Sequence, residues 1–186
     1  MGNRLNNVIK LRSRSIRKNE DGSVAVEFAL ISIPLFAFLF ALIETAMVLF
    51  ASVGMEGAME DVARLLRTGV GQSNGMTAQQ FKTEICDRSP LFFDCDQRLV
   101  VDVRAFNDFG NVAFTDPLDG NGDIAQNFQF NPGGASDVVL VRAYYVWEVM
   151  TPIGIGLENM SNGNRLLTTS AVFRNEPFGA ILAGGG

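Results

Sequence analysis

Residues 22–53 read GSVAVEFALISIPLFAFLFALIETAMVLFASV, and the rest of the chain takes its place from them. From Phe28 to Ile43 no residue is charged, and only Ser32 and Pro34 interrupt the apolar run. Beyond Glu44 the run continues to Val53. As an α-helix, Phe28 to Phe50 is about 35 Å long, against about 30 Å of bilayer hydrocarbon. The stretch therefore predicts a transmembrane helix over 23–53. A buried helix of a soluble protein would need a larger protein around it. A cleaved secretory signal would end sooner, because its apolar region runs only about 7–15 residues.

Charge is divided at the same place. Residues 1–22 hold Arg4, Lys10, Arg12, Arg14, Arg17 and Lys18 against Glu20 and Asp21, while the other basic residues are outnumbered by acids over 23–186. Basic flanks stay on the cytoplasmic side, so 1–22 is expected inside and the chain after about 54 outside. The outer part is acidic, which disfavours nucleic acid as a partner. The chain has no histidine, so it lacks the commonest general base and the commonest metal ligand. No nucleophile–base pair or phosphate-cradling loop is evident, and the expectation is a protein that is not an enzyme and carries no cofactor.

The phrase Gly22-Ser23-Val24-Ala25-Val26-Glu27-Phe28 sits at the cytoplasmic edge. A glycine closes the basic leader, and one acid stands at the head of an apolar helix, where a carboxylate is costly once it enters lipid. This resembles the signal of type IV pilins and pseudopilins. Ala63-Arg64-Leu65-Leu66-Arg67-Thr68-Gly69, and later Val138 to Tyr145, Leu166 to Phe173 and Asn175-Glu176-Pro177-Phe178, resemble the TadE-like pseudopilins of the Tad pilus system. Phe28 departs from that group, which often has Tyr there. The resemblance implies that a prepilin peptidase cuts between Gly22 and Ser23. It also implies that Glu27, fifth in the processed chain, meets a new N-terminal amine during assembly. Implied partners are the membrane, the prepilin peptidase, the major pilin, a sister pseudopilin and the inner-membrane Tad assembly platform. Surface adhesion and biofilm formation are the implied outputs. A membrane-anchored periplasmic scaffold or binding protein that keeps its leader is the alternative.

The helical period runs on past the lipid. Met55, Met59, Val62 and Leu66 form an apolar stripe, with Ala58 and Leu65 beside it. Thr68-Gly69 offers a stop, because glycine accepts the left-handed cap conformation. A continuous helix over 23–68 is expected, its part at 54–70 lying outside the membrane and the domain at 71–186 following. Thr77 to Cys86 reads as a short helix with Thr77 as N-cap. Cys86 and Cys95, in an oxidising compartment, are expected to form a local disulfide.

Leu99 to Phe106, Val138 to Val149 and Leu166 to Arg174 alternate as strands. Val139, Val141, Ala143, Tyr145, Trp147 and Val149 share one face of the second, and Asp102 and Arg104 oppose Leu99, Val101, Val103 and Ala105 on the first. The fold class expected is α+β: a long N-terminal transmembrane and amphipathic helix packed on a small antiparallel sheet. The pilin resemblance implies the same plan. Asp119, Asn121 and Asp123 invite a calcium reading, but the positions of an EF-hand glycine and glutamate hold Ile124 and Phe130, so a solvated acidic turn is expected and no metal. Phe128, Phe130 and Phe178 fit either a core or a partner surface.

Overall fold

A computed structural model describes residues 22–89, 94–151 and 156–179. The basic leader before Gly22, Pro90 and the C-terminal glycines lie outside the described residues. The chain divides into two compact units, Met1–Leu42 and Ile43–Gly186.

Helix α1 covers Ser23–Arg67, with Pro34 inside it. In the first unit the helix turns apolar side chains outward on all sides: Val24, Val26, Phe28, Leu30, Ile31, Ile33, Phe38 and Phe40 are exposed. A helix apolar all round is stable only where lipid or protein surrounds it. Ser32 returns its hydroxyl to the Ala29 carbonyl at 3.1 Å, so the one polar side chain in the run is satisfied locally. This helix is long and apolar enough to cross a membrane.

In the second unit α1 becomes one-sided. Glu44, Val48, Ala51, Met55, Ala58, Val62 and Leu66 are buried, spaced three and four apart, with Met59 and Ala63 buried beside them. They face a three-stranded antiparallel sheet ordered β1-β2-β3, with β1 Leu99–Phe106, β2 Val138–Trp147 and β3 Arg165–Arg174. Val101 pairs with Ala143, and Ala143 with Thr169. That register puts Leu99, Val101, Val103, Val139, Val141, Ala143, Tyr145, Trp147 and Leu167 on the face that meets the helix. The α+β plan of helix on antiparallel sheet is therefore the observed one, with the Met55–Leu66 stripe as its core. The second strand ends at Trp147, two residues before the expected Val149.

The helix stops where the glycine permits. Gly69 has φ 80°, and the Gly69 N–H donates to the Leu66 carbonyl at 3.1 Å. The tail returns to this point. The Glu176 N–H donates to the Arg67 carbonyl at 2.8 Å, satisfying one of the acceptors that every helix end leaves open. Buried Asn175 donates its side-chain amide to Pro132 and Gly134 carbonyls at 2.9 and 2.8 Å.

Two short helices and a longer one precede the sheet: α2 Val70–Ser73, α3 Ala78–Arg88 and α4 Cys95–Arg98. Thr77 caps α3 as expected, in a capping box. The Gln80 N–H donates to the Thr77 hydroxyl at 3.2 Å, and the Thr77 N–H to the Gln80 side chain at 2.8 Å. Phe81 and Ile85 bury its inner face. Cys86 and Cys95 are bridged, with Cα atoms 5.8 Å apart, tying α3 to α4 and so to the start of β1.

The far face of the sheet is also covered. The connection 107–137 folds back over it, with Leu118, Ile124 and Phe128 packed around buried Tyr144 and Leu166. Phe130 bridges to Val103 along the open edge of β1, where the Val103 N–H donates to Gln129 and Val103 accepts from Asn131, both at 2.8 Å. An edge so covered is protected from pairing with another chain. Phe130 lies tilted against Phe81 at 5.7 Å and Phe128 against Tyr144 at 5.4 Å, so both are half-buried and pack against the core.

Candidate functional site

At the head of α1, Gly22, Ser23 and Glu27 are all exposed. Residues four apart share a helix face, and the Ser23 hydroxyl lies 3.4 Å from a Glu27 carboxylate oxygen. The first residue of α1 and the first acid of that helix thus meet within one turn. A Cβ built on Gly22 touches nothing, so packing does not demand a glycine there.

A second acid of α1, Glu44, takes a role that the apolar-run reading missed. It is 3% exposed and faces the sheet side of the helix. The Met150 and Thr151 N–H groups both donate to its carboxylate, the latter at 2.9 Å, and the Thr151 hydroxyl donates as well. These donors lie just past the end of β2, so Glu44 fastens the end of the sheet's central strand to the helix. The signal was present in the sequence. Counting from Met55 toward the N-terminus by three and four residues reaches Ala51, Val48 and then Glu44, which places the acid on the buried stripe.

Beside this clamp lies a cavity of about 230 Å³ lined by Met47, Arg98, Tyr145, Trp147, Glu148 and Met150. Arg98 and Glu148 pair across it at 2.7 Å. That hydrogen bond to Glu148 holds the Arg98 guanidinium above its ordinary pKa.

Asp102 and Arg142 form the third polar cluster. Both are buried, and Arg142 donates twice to Asp102, from Nε at 3.1 Å and from Nη2. Arg104 adds two contacts at 3.0 Å. The Gln129 N–H donates to the same carboxylate at 2.8 Å, and Arg142 reaches the Thr115 carbonyl and hydroxyl at 2.7 and 2.8 Å. Every partner outside the strands belongs to the connection 107–137, so the cluster works as a fastener between sheet and loop. Buried charges persist only when paired and hydrogen-bonded in this way.

The acidic turn at Asp119 is closed by its own backbone. Asp119 accepts from the N–H groups of Asn121 and Asp123 at 2.9 and 3.0 Å, and these bonds hold its carboxyl below the ordinary value. Asp123 accepts from the Ser161 hydroxyl at 2.9 Å. Among the described residues no group of three or more His, Cys, Asp or Glu side chains is arranged to hold a metal.

Comparison of the chain with curated proteins and with solved structures found no match. A protein-family comparison did find one, over residues 22–64. The matched segment starts at the glycine before α1 and contains Glu27, the apolar stretch, Glu44 and the stripe through Val62. The later phrases at Val138, Leu166 and Asn175 lie outside it. The matching family is described as TadE-like protein, and over this segment the chain is similar to it.

Proposed function

We propose that this chain is a minor pilin or pseudopilin that helps assemble a Tad-type pilus, with a structural and not a catalytic role. One observation carries the reading: a glycine, four residues and a glutamate open an apolar helix inside the segment that matches the TadE-like family. The basic leader stays in the cytoplasm, α1 crosses the inner membrane, and the sheet domain lies in the periplasm. A prepilin peptidase removes 1–22, and Ser23 becomes the N-terminus. The 3.4 Å approach of Ser23 to Glu27 supports a pairing role, because a new amine on Ser23 would arise one turn from that carboxylate. In low dielectric such opposite charges attract strongly, within one subunit or between two.

The apolar side chains of the first unit support storage in lipid before assembly and burial among equivalent helices after it. Partners in this reading are the peptidase, the major pilin, a sister pseudopilin and the inner-membrane platform; adhesion and biofilm formation are its outputs. The test is a Glu27→Ala variant expressed in place of the wild type in the native cell. The variant is expected to reach the membrane in normal amount while surface piliation is lost. Wild-type piliation with the variant would remove the assembly role from this carboxylate.

A further inference from the structure

We propose that the end of the outer domain around Glu44 and Met150 is sunk in the outer leaflet of the bilayer and does not stand above it. This rests on the reading of α1 as a membrane span and adds a depth to it. The two acids of the apolar run compete for lipid. Glu27 is exposed, with one long contact to Ser23, whereas Glu44 is buried and saturated by three donors. A carboxylate already satisfied by protein loses little by leaving water, and an exposed one loses much. The bilayer therefore keeps Glu27 at its inner edge and admits Glu44.

Length then sets the depth. Phe28 to Glu44 is about 24 Å of helix, short of the roughly 30 Å that the hydrocarbon occupies, and tilt draws still more helix inward. The surface agrees with this. Past Glu44 the outer side of α1 shows Leu49, Phe50 and Val53, all exposed, and the next exposed charge on the helix is Glu56. Met150, held against Glu44 by its own N–H, is 68% exposed. Along α1 no exposed charge therefore interrupts the apolar surface between Glu44 and Glu56, while the paired Arg98 and Glu148, the latter 61% exposed, mark the polar side of the adjoining cavity and belong at the level of the headgroups.

Trp147, which lines that cavity, is the only tryptophan in the chain, so its fluorescence reports this place alone. The full chain is reconstituted into phosphatidylcholine vesicles, plain or carrying bromine on the acyl chains. A Trp147→Phe/Met150→Trp double variant is treated the same way. Bromine placed near the carboxyl end of the chains is expected to quench Trp147. It should quench the variant more strongly, and bromine near the chain ends should act less on both. Equal emission in plain and brominated vesicles, from a protein that survives an alkaline wash, overturns the proposal while leaving the span intact. That outcome would include the case of a second copy covering this end. Loss of the protein in the wash overturns the spanning reading and the proposal together. If the variant does not reconstitute, quenching of wild-type Trp147 decides by the same criterion.

Discussion

A methyl group on Gly69 would lie 2.3 to 2.8 Å from three carbons of Phe178, at a residue whose φ is already positive. Both the space and the backbone conformation require glycine, so Gly69→Ala is expected to destabilise the domain by about 1–3 kcal/mol, read as a lower denaturation midpoint of the full chain in detergent. Asp102→Ala is expected to cost more, about 3–5 kcal/mol by the same measurement, because it leaves Arg142 buried without its counter-charge. The Asp119 turn gives a pH signature. Its carboxyl titrates below its ordinary 3.8 when folded, so its contribution is complete above that value and disappears as pH falls through the lowered one. Acid unfolding curves of Asp119→Asn are expected to lack that component; an unchanged acid limb would contradict it. At this scale the sequence was only partly legible. Gly69 and the Thr77 cap could be read because their chemistry is local. Asp102 and Arg142 could not, since a charged side chain on an alternating strand looks solvent-facing until the covering loop is known.

The strands were legible at the scale of elements because a two-residue period needs no knowledge of neighbours: β1 runs Leu99–Phe106 as its alternation indicates. The stripe Met55, Met59, Val62, Leu66 was legible for the same reason, at a period near 3.6. The connection 107–137 was not. Its glycines, asparagines and aspartates suggest a solvated turn, and its apolar residues follow no period, yet Leu118, Ile124 and Phe128 form the second layer of the sheet. The disulfide between α3 and α4 closes a short loop and is expected to contribute about 2–4 kcal/mol. A Cys86→Ser/Cys95→Ser variant should show that loss on denaturation, whereas an unaltered midpoint would mean the bridge restrains nothing.

For the molecule as a whole, one helix has two duties. Up to Leu42 it exposes apolar side chains on every side, and from Glu44 it buries one stripe against a sheet. Membrane anchoring asks only for the first duty, and a pilus subunit asks for both, with a processed N-terminus in front. That processing is the point on which the account turns. Intact-mass analysis and N-terminal sequencing of the protein, taken from the native membrane of wild-type and peptidase-deficient cells, test it most directly. A chain starting at Ser23 is expected in the wild type, and a chain retaining Gly22 and everything before it in the deficient strain. Recovery of the same uncut chain from both, in cells that form normal pili, would contradict it.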